Sequence, residues 1–239
     1  MATSIRVLVA YDGSPHAGDA LALGRQLAEI AGTRLELAHV DHTVPVQIGG
    51  EQSHAGRERF LSHRSEGLLA AGAKLIGESL SGRQHVVSAS TTATGLRELA
   101  EQEAIDVIVF GSSYNAPADR VHPGSAARRL LQNGPSALAF APPGYRARAD
   151  GRFDRVAFAQ DDTEESARQT AEAIAARSDG TIVEAEAATL VVIGSRAQAP
   201  EGHVQITPAG ERTIHSASAP VLVVPRAVAL DPAGVLVAA

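Results

Sequence analysis

The 239-residue chain contains no cysteine, no tryptophan and a single methionine. Without cysteine there is no disulfide, no thiolate zinc site and no cysteine nucleophile, although the compartment is not fixed by that absence. Lysine is almost as scarce, Lys74 being the only one. A Walker-type phosphate loop ends in Gly-Lys-Ser/Thr, and Lys74 lies in GAKLIG, where no such loop exists. Any phosphate binding must therefore rest on backbone N–H groups, hydroxyls or arginine. A basic block is missing too: 21 Lys and Arg face 27 Asp and Glu, for a net charge of −6. That balance gives no general electrostatic footprint for nucleic acid. No apolar run approaches the ~20 residues that span a membrane. The opening segment MATSIRVLVAYDGS, one arginine and then a short strand-like run, does not read as a secretory signal. The expectation is a cytoplasmic protein with neither a membrane nor a nucleic-acid partner.

What is present is a regular alternation. Residues 5–10, IRVLVA, form an apolar run of the buried parallel-strand kind. Ser14 suits an N-cap and Pro15 the first helical position; Ala20, Leu23, Leu27, Ile30 and Ala31 then recur at helical spacing until Gly32. Residues 35–40 read as a strand, 41–55 as a polar loop, 56–79 as a glycine-interrupted helix and 85–89 as a strand. Thr94 is placed to cap a helix running through Glu103. Another strand, loop, helix and strand complete the series to residue 141. The order β-α-β-α-β-α-β-α-β implies a parallel sheet with helices on both faces.

The richest stretch is residues 106–141, DVIVFGSSYNAPADRVHPGSAARRLLQNGPSALAFA. A strand ends at Gly111, and Gly124-Ser125 opens a helix that stops at Gly134-Pro135. A glycine loop followed by a helix start is a candidate phosphate cradle, because a helix N-terminus presents free N–H groups and a partial positive charge. The competing reading is a βα turn with a glycine cap and no ligand. Asp12 likewise reads either as a ligand contact or as a cap for the helix near Ser14. His39 and His42 have no third ligand in view and do not read as a metal pair, and no metal site is expected. His122 reads as a surface histidine. The serines lie in no G-x-S-x-G elbow, so no catalytic residue is assigned.

After a Pro-Pro-Gly and a polar linker the pattern restarts. Residues 155–167 align with 6–18, pairing Asp161 with Asp12; LVVIGSR (190–196) matches VIVFGSS (107–113). Matching Pro208 to Pro123 and Pro220 to Pro135 sets Ala209-Gly210 opposite Gly124-Ser125, and Ala197 opposite Tyr114. This is an internal repeat. The second copy is short, and TIVEAEAA reads as the tail of a helix, so a single β-helix-β crossover would join its first strand to the strand at Leu190. The expected layout is a full domain over 1–145, a linker over 146–152, a truncated copy over 153–227 and a tail over 228–239. A half-domain of that size has too little core to stand alone and should pack on the first, sheet edge to sheet edge.

The segments VLVAYDGSPHAGDAL and VIVFGSS…HPGSAARRLLQNGPSALAFAP resemble the universal stress protein family, well over 5–142 and partially over 155–225. The resemblance implies a flavodoxin-like, adenine-nucleotide alpha-hydrolase-like α/β fold with parallel strand order 3-2-1-4-5. It also implies ATP binding, with Mg²⁺ held near Asp12 through water, and dimerisation through the last strand. The family motif, Gly, two residues, Gly, nine residues, Gly, Ser or Thr, reads here Gly111, Ser112-Ser113, Tyr114, nine residues, Gly124, Ser125. Tyr114 thus stands at the second glycine; Ser113, Asn115 and Arg120 are the nearby groups able to meet phosphate. By the resemblance, Ala10, Asp12 and Val40 would line the nucleoside side, while Gly111, Ser112, Ser113, Gly124, Ser125 and Ala126 would hold the phosphates. One site is expected, in the first domain, with the second copy as a built-in dimer partner.

Three functions compete on this reading. The first is a non-catalytic ATP-binding stress-response or regulatory protein. The second is an interaction module that has lost nucleotide binding and acts through dimerisation, as a homodimer or an intramolecular pseudo-dimer, and through an unidentified protein partner. The third, an adenylating enzyme of the broader fold group, lacks the signatures S-G-G-x-D-S and H-I-G-H.

Overall fold

The computed structural model describes residues 4–42, 51–149, 152–159, 165–233 and 235–238. β1 (Val7–Ala10) leads into α1 (Pro15–Ala31). The Ser14 hydroxyl accepts the Ala17 N–H, and Gly32, at φ 63°, ends the helix. β2 (Leu35–His42), α2 (Glu51–Ile76), β3 (Ser81–Ala89), α3 (Thr92–Glu103), β4 (Val107–Gly111), α4 (Ser125–Leu130) and β5 (Ala137–Ala141) follow. Their five strands are all parallel, in the order β3-β2-β1-β4-β5, which is the flavodoxin-like arrangement.

Several boundaries differ from the pattern in the sequence. β2 continues through Asp41 and His42, and α2 begins at Glu51, inside what reads as a loop. α2 stops at Ile76 because Gly77 takes φ 91°. Thr91, not Thr94, caps α3; its hydroxyl accepts the Thr94 N–H.

The remaining elements are β6 (Arg155–Phe158), α5 (Glu165–Arg177), β7 (Thr181–Ile182), β8 (Leu190–Ile193), α6 (Pro208–Ser216) and β9 (Val221–Val223). The stretch read as a helix tail opens instead as a strand stub, Thr181 and Ile182 pairing in parallel with Arg155 and Val156, and only Ala185–Ala187 is helical, as a single 3-10 turn. Gly180 makes the tight return possible, since a Cβ there would lie 2.6 Å from the Phe153 carbonyl oxygen. The β-branched run that follows favours extended backbone. β6 lies between β7 and β8, and β8 pairs with β9, all in parallel.

β9 then pairs antiparallel with β5, fusing both units into one nine-stranded sheet. Ala139 faces Leu222, with Leu138 opposite Val223 and Phe140 opposite Val221. The shift along the chain that carries Ser112 to Ser195 also carries Leu138 to Val221 and Phe140 to Val223, so the join is centred on a local two-fold axis. The contacts flanking it come in mates. The Val121 N–H donates to the Ala217 carbonyl at 3.0 Å, and the Val204 N–H to the Gly134 carbonyl at 2.8 Å. One apolar layer runs under α1, α2 and α5, and a second under α3, α4 and α6, each crossing the join.

The segment just after β5 is anchored to α1. Tyr145 is buried and donates its hydroxyl to Gln26, while Asp19 accepts the Gly144 and Arg146 N–H groups at 2.9 and 3.0 Å. The tail forms a hairpin, β10 (Val228–Asp231) with β11 (Val235–Ala238). It lies on α5, where the Leu230 N–H donates to Thr170 Oγ1 at 2.9 Å.

At the end of the sheet remote from the β1–α1 turn, buried Glu36 accepts from Arg6 Nε at 2.8 Å and lies 2.7 Å from His85 Nε2. Burial alone would raise the Glu36 pKa. The hydrogen bonds from His85 and Arg6 outweigh it, and the net displacement is downward. A carboxyl with a lowered folded-state pKa contributes stability above its unfolded pKa and loses it as pH falls through the folded value. Glu36→Gln should therefore lower stability at pH 7 by about 1.5–3 kcal/mol, the range for hydrogen bonds to charged groups. That deficit should shrink in acid below about pH 4, where the wild-type carboxyl protonates; urea unfolding at a series of pH values measures both. A fragment ending at residue 150 bares the self-complementary edge of β5. It should run as a dimer or larger species in sedimentation at micromolar concentration, where the full chain does not associate through that edge.

Candidate functional site

β1 and β4 are neighbours, yet their following helices depart to opposite faces of the sheet: α1 lies on the first apolar layer and α4 on the second. The loops after the two strands must diverge, and open α/β sheets carry their crevice at such a point. Here the crevice is a cleft of about 820 Å³. All nine residues expected from the sequence, Ala10, Asp12, Val40, Gly111, Ser112, Ser113, Gly124, Ser125 and Ala126, line it together.

Their individual roles differ. Gly111 is demanded by packing, because a Cβ there would lie 2.0 Å from the His16 carbonyl oxygen of α1. Ser112 is buried and its hydroxyl is spent inside the fold: it donates to the Ala141 carbonyl at 2.9 Å and accepts the His122 N–H at 3.2 Å. The Ser113 N–H donates to the His122 carbonyl at 2.7 Å, which closes the base of the loop. Gly124 is the N-cap of α4 and supplies no side-chain cap, so no capping side chain meets the first N–H groups of that turn, whose residues Gly124, Ser125 and Ala126 line the cleft. Asp12 does not cap α1; it is exposed and accepts the Ser14 N–H at 2.9 Å, while Ser14 does the capping.

Tyr114 is 89% exposed at the lip of the cleft, its ring edge-to-face with His16 at 6.3 Å between centroids. It is not among the residues with positive φ, so a side chain at this position carries no left-handed strain. Arg120 is not directed at the cleft; its guanidinium donates to the Ser216 carbonyl near the end of α6.

The opposite wall is a polar relay that the sequence motif does not mark. His39 Nδ1 lies 2.8 Å from the Tyr11 carbonyl, and its Nε2 lies 3.5 Å from Asp41 Oδ1. Buried Ser65 on α2 donates to the same Asp41 oxygen at 2.8 Å. The alternation along β2 puts His39 and Asp41 on one face, a signal readable in principle; Ser65 is legible only once α2 is docked. Because the Ser65 hydroxyl points to a carboxylate rather than to an imidazole, the trio lacks the order of a nucleophile, base and orienting acid. Burial and then the Asp12 charge raise the Tyr11 phenol pKa, keeping the ring neutral. His122 is pushed down by burial, with His215 and Arg128 adding to the effect; the two imidazoles lie 4.7 Å apart. His42 lies apart from His39, with its Nε2 3.4 Å from the Thr92 hydroxyl. No group of three or more potential metal ligands occurs among the described residues.

The loop after β8 is built as its counterpart after β4 is. Ser195 donates to the Val224 carbonyl at 2.8 Å and accepts the Gln205 N–H at 3.2 Å, just as Ser112 engages Ala141 and His122. This correspondence corrects the proline-based alignment: the residue standing where Gly124 stands is Thr207, not Ala209. Thr207 caps α6 with its own hydroxyl, which accepts the Gly210 N–H at 3.0 Å. Asp161, the residue aligned with Asp12, lies outside the described residues.

The universal stress protein family model matches residues 5–142. The whole fold resembles the crystal structure of a universal stress protein from Archaeoglobus fulgidus DSM 4304, with 16% identity and a TM-score of 0.67 over 93% of this chain and 99% of that one. It also resembles a putative universal stress protein from Pseudomonas aeruginosa UCBPP-PA14, with 13% identity and a TM-score of 0.57 over 92% of this chain and 93% of that one. No curated protein matches the chain. At these identities the likeness speaks for the fold.

The two cleft glycines should separate experimentally. Gly111→Ala drives a Cβ into backbone and should cost about 3 kcal/mol or more, at or beyond the upper end of overpacking. Gly124→Ala meets nothing closer than Ser113 Cβ at 3.9 Å, and should cost under about 1 kcal/mol, the scale of an altered N-cap. Chemical denaturation of both variants checks the contrast.

Proposed function

From the premise that the chain belongs to the universal stress protein family, we propose that it binds an adenine nucleotide in the cleft between the β1 and β4 loops and acts as a non-catalytic stress-response or regulatory protein. The observation that carries the reading is the assembly of the nine motif-matched residues around one open cleft. Its size falls within the ~300–1,000 Å³ of small-molecule sites. The base would lie against the β2 end, reading the backbone at Val40. The phosphate end would meet the N–H groups following Gly111 and Gly124 and the Ser113 and Ser125 hydroxyls. Asp12, exposed at the mouth, suits a Mg²⁺ held through water beside a bound phosphate. The Ser65–Asp41–His39 order and the commitment of the Ser112 hydroxyl to the fold argue against a serine nucleophile in this cleft.

The second unit reads as a truncated copy that serves as the partner of the first across β5 and β9. Its own cleft is closed in this reading: Thr207 fills the cap that Gly124 leaves open, and the counterpart of β2 is a two-residue stub. One nucleotide per chain follows. Tyr114, exposed as it is, favours the alternative of a ligand-free interaction module; the open cleft beside Gly111 argues against it.

The test is thermal and calorimetric titration with adenine nucleotides. A ligand at 100 times its Kd should add about 2.7 kcal/mol to stability. Binding should saturate at one per chain, and Asp12→Ala and Gly124→Thr should weaken it while leaving the unliganded melting curve near wild type. No melting shift and no heat at millimolar nucleotide would overturn the reading, as would release of ADP or AMP by the pure protein for the non-catalytic part.

A further inference from the structure

We infer that the phosphate end of this cleft is built for a single phosphoryl group, so that the chain prefers a nucleoside monophosphate to a triphosphate, with Tyr114 setting the limit. The inference rests on the nucleotide reading above and specifies its ligand.

The charge of the lining limits the phosphate load. Among the described residues that line the cleft, Arg64 is the formal cation, against the carboxylates of Asp12 and Asp41. Arg120, the nearest loop arginine, is held by the Ser216 carbonyl, and Arg128 sits beside His122 rather than in the lining. A monophosphate brings roughly two negative charges at neutral pH, and each further phosphate of a triphosphate adds to that load. Neutral N–H and hydroxyl donors at the loop ends can satisfy one phosphoryl group. A longer chain of phosphates gains from cations; among the described lining residues the loops after β1 and β4 carry no lysine or arginine, so there the added charge would fall to a Mg²⁺ ion such as the one proposed beside Asp12.

The shape of the lip sets a limit independently of charge. The Tyr114 ring and the His16 ring, edge-to-face at 6.3 Å, join the loop after β4 to the start of α1 across the lip of the cleft. Phosphates extending beyond the Gly124–Ser125 end would have to pass this pair of rings. The backbone of Tyr114 is unstrained and its side chain 89% exposed, so the ring is an addition to the lip and not a support of the fold.

Isothermal titration of adenosine, AMP and ATP at pH 8, above the ordinary histidine pKa, with EDTA and again with Mg²⁺, tests the inference on the full chain. Wild type should bind AMP at least about tenfold more tightly than ATP, a gap of about 1.4 kcal/mol. Tyr114→Gly should leave AMP affinity unchanged and bring ATP to within about threefold of it, a residual of under about 0.7 kcal/mol; Tyr114→Phe should keep the wild-type preference. ATP binding to wild type as tightly as AMP, with or without Mg²⁺, overturns the inference while leaving the nucleotide reading intact. An AMP-to-ATP ratio unmoved by Tyr114→Gly overturns the role of Tyr114. Failure of adenosine, AMP and ATP alike to bind overturns the nucleotide reading and this inference together.

Discussion

An unpaired strand at the edge of a sheet presents a row of N–H and C=O groups that must find partners or be shielded. In this chain β5 is that strand, fully buried along its length, and the antiparallel pairing with β9 is the constraint on which the rest of the molecule depends. It makes one sheet of two, and it lets the apolar layers on both faces run on from one unit into the other. The second unit contributes four strands, one of them two residues long, and could not bury a sufficient core by itself. The geometry at the join is self-matching: Ala139 on the axis faces its own counterpart Leu222, and Leu138 and Phe140 each face the counterpart of the other.

The cleft is a consequence of chain direction rather than of any one residue. Two adjacent parallel strands that send their helices to opposite faces leave a gap at their carboxyl ends. The Gly111–His16 contact fixes how closely β4 approaches α1 at that gap. Loop 112–122 is braced from below by the Ser112 hydroxyl, whose two bonds reach β5 and His122. The site is therefore held by the core-facing side of its loops, leaving the outward side open to a ligand.

Much of this was legible in the sequence because the signals are local. The Ser14-Pro15 start and Gly32 stop of α1 follow from capping chemistry alone, and the apolar runs of β1, β4 and β5 are of the buried parallel kind. Where the signal was not local, the sequence misled. Thr181 and Ile182 join the sheet through a tight glycine turn that periodicity cannot reveal. The match of Pro208 to Pro123 is a coincidence of spacing; hydrogen bonding shows that Thr207 occupies the position of Gly124. The His39–Asp41–Ser65 wall escaped because it is assembled from β2 and a docked helix. Arg120, which sequence proximity directs toward phosphate, turns instead to a carbonyl contributed by α6.

The local two-fold axis also bears on how such a molecule can change. When two identical chains meet across an axis, every substitution appears on both sides at once, and neither site can be altered alone. Here both sides are encoded separately within one polypeptide. Thr207 and Gly124, equivalent in position, display that freedom: one helix start is capped by its own hydroxyl and the other has no side-chain cap. Because the partners share a backbone, their association is also insensitive to dilution. An asymmetric pair can therefore persist at cellular levels too low to hold two separate chains together.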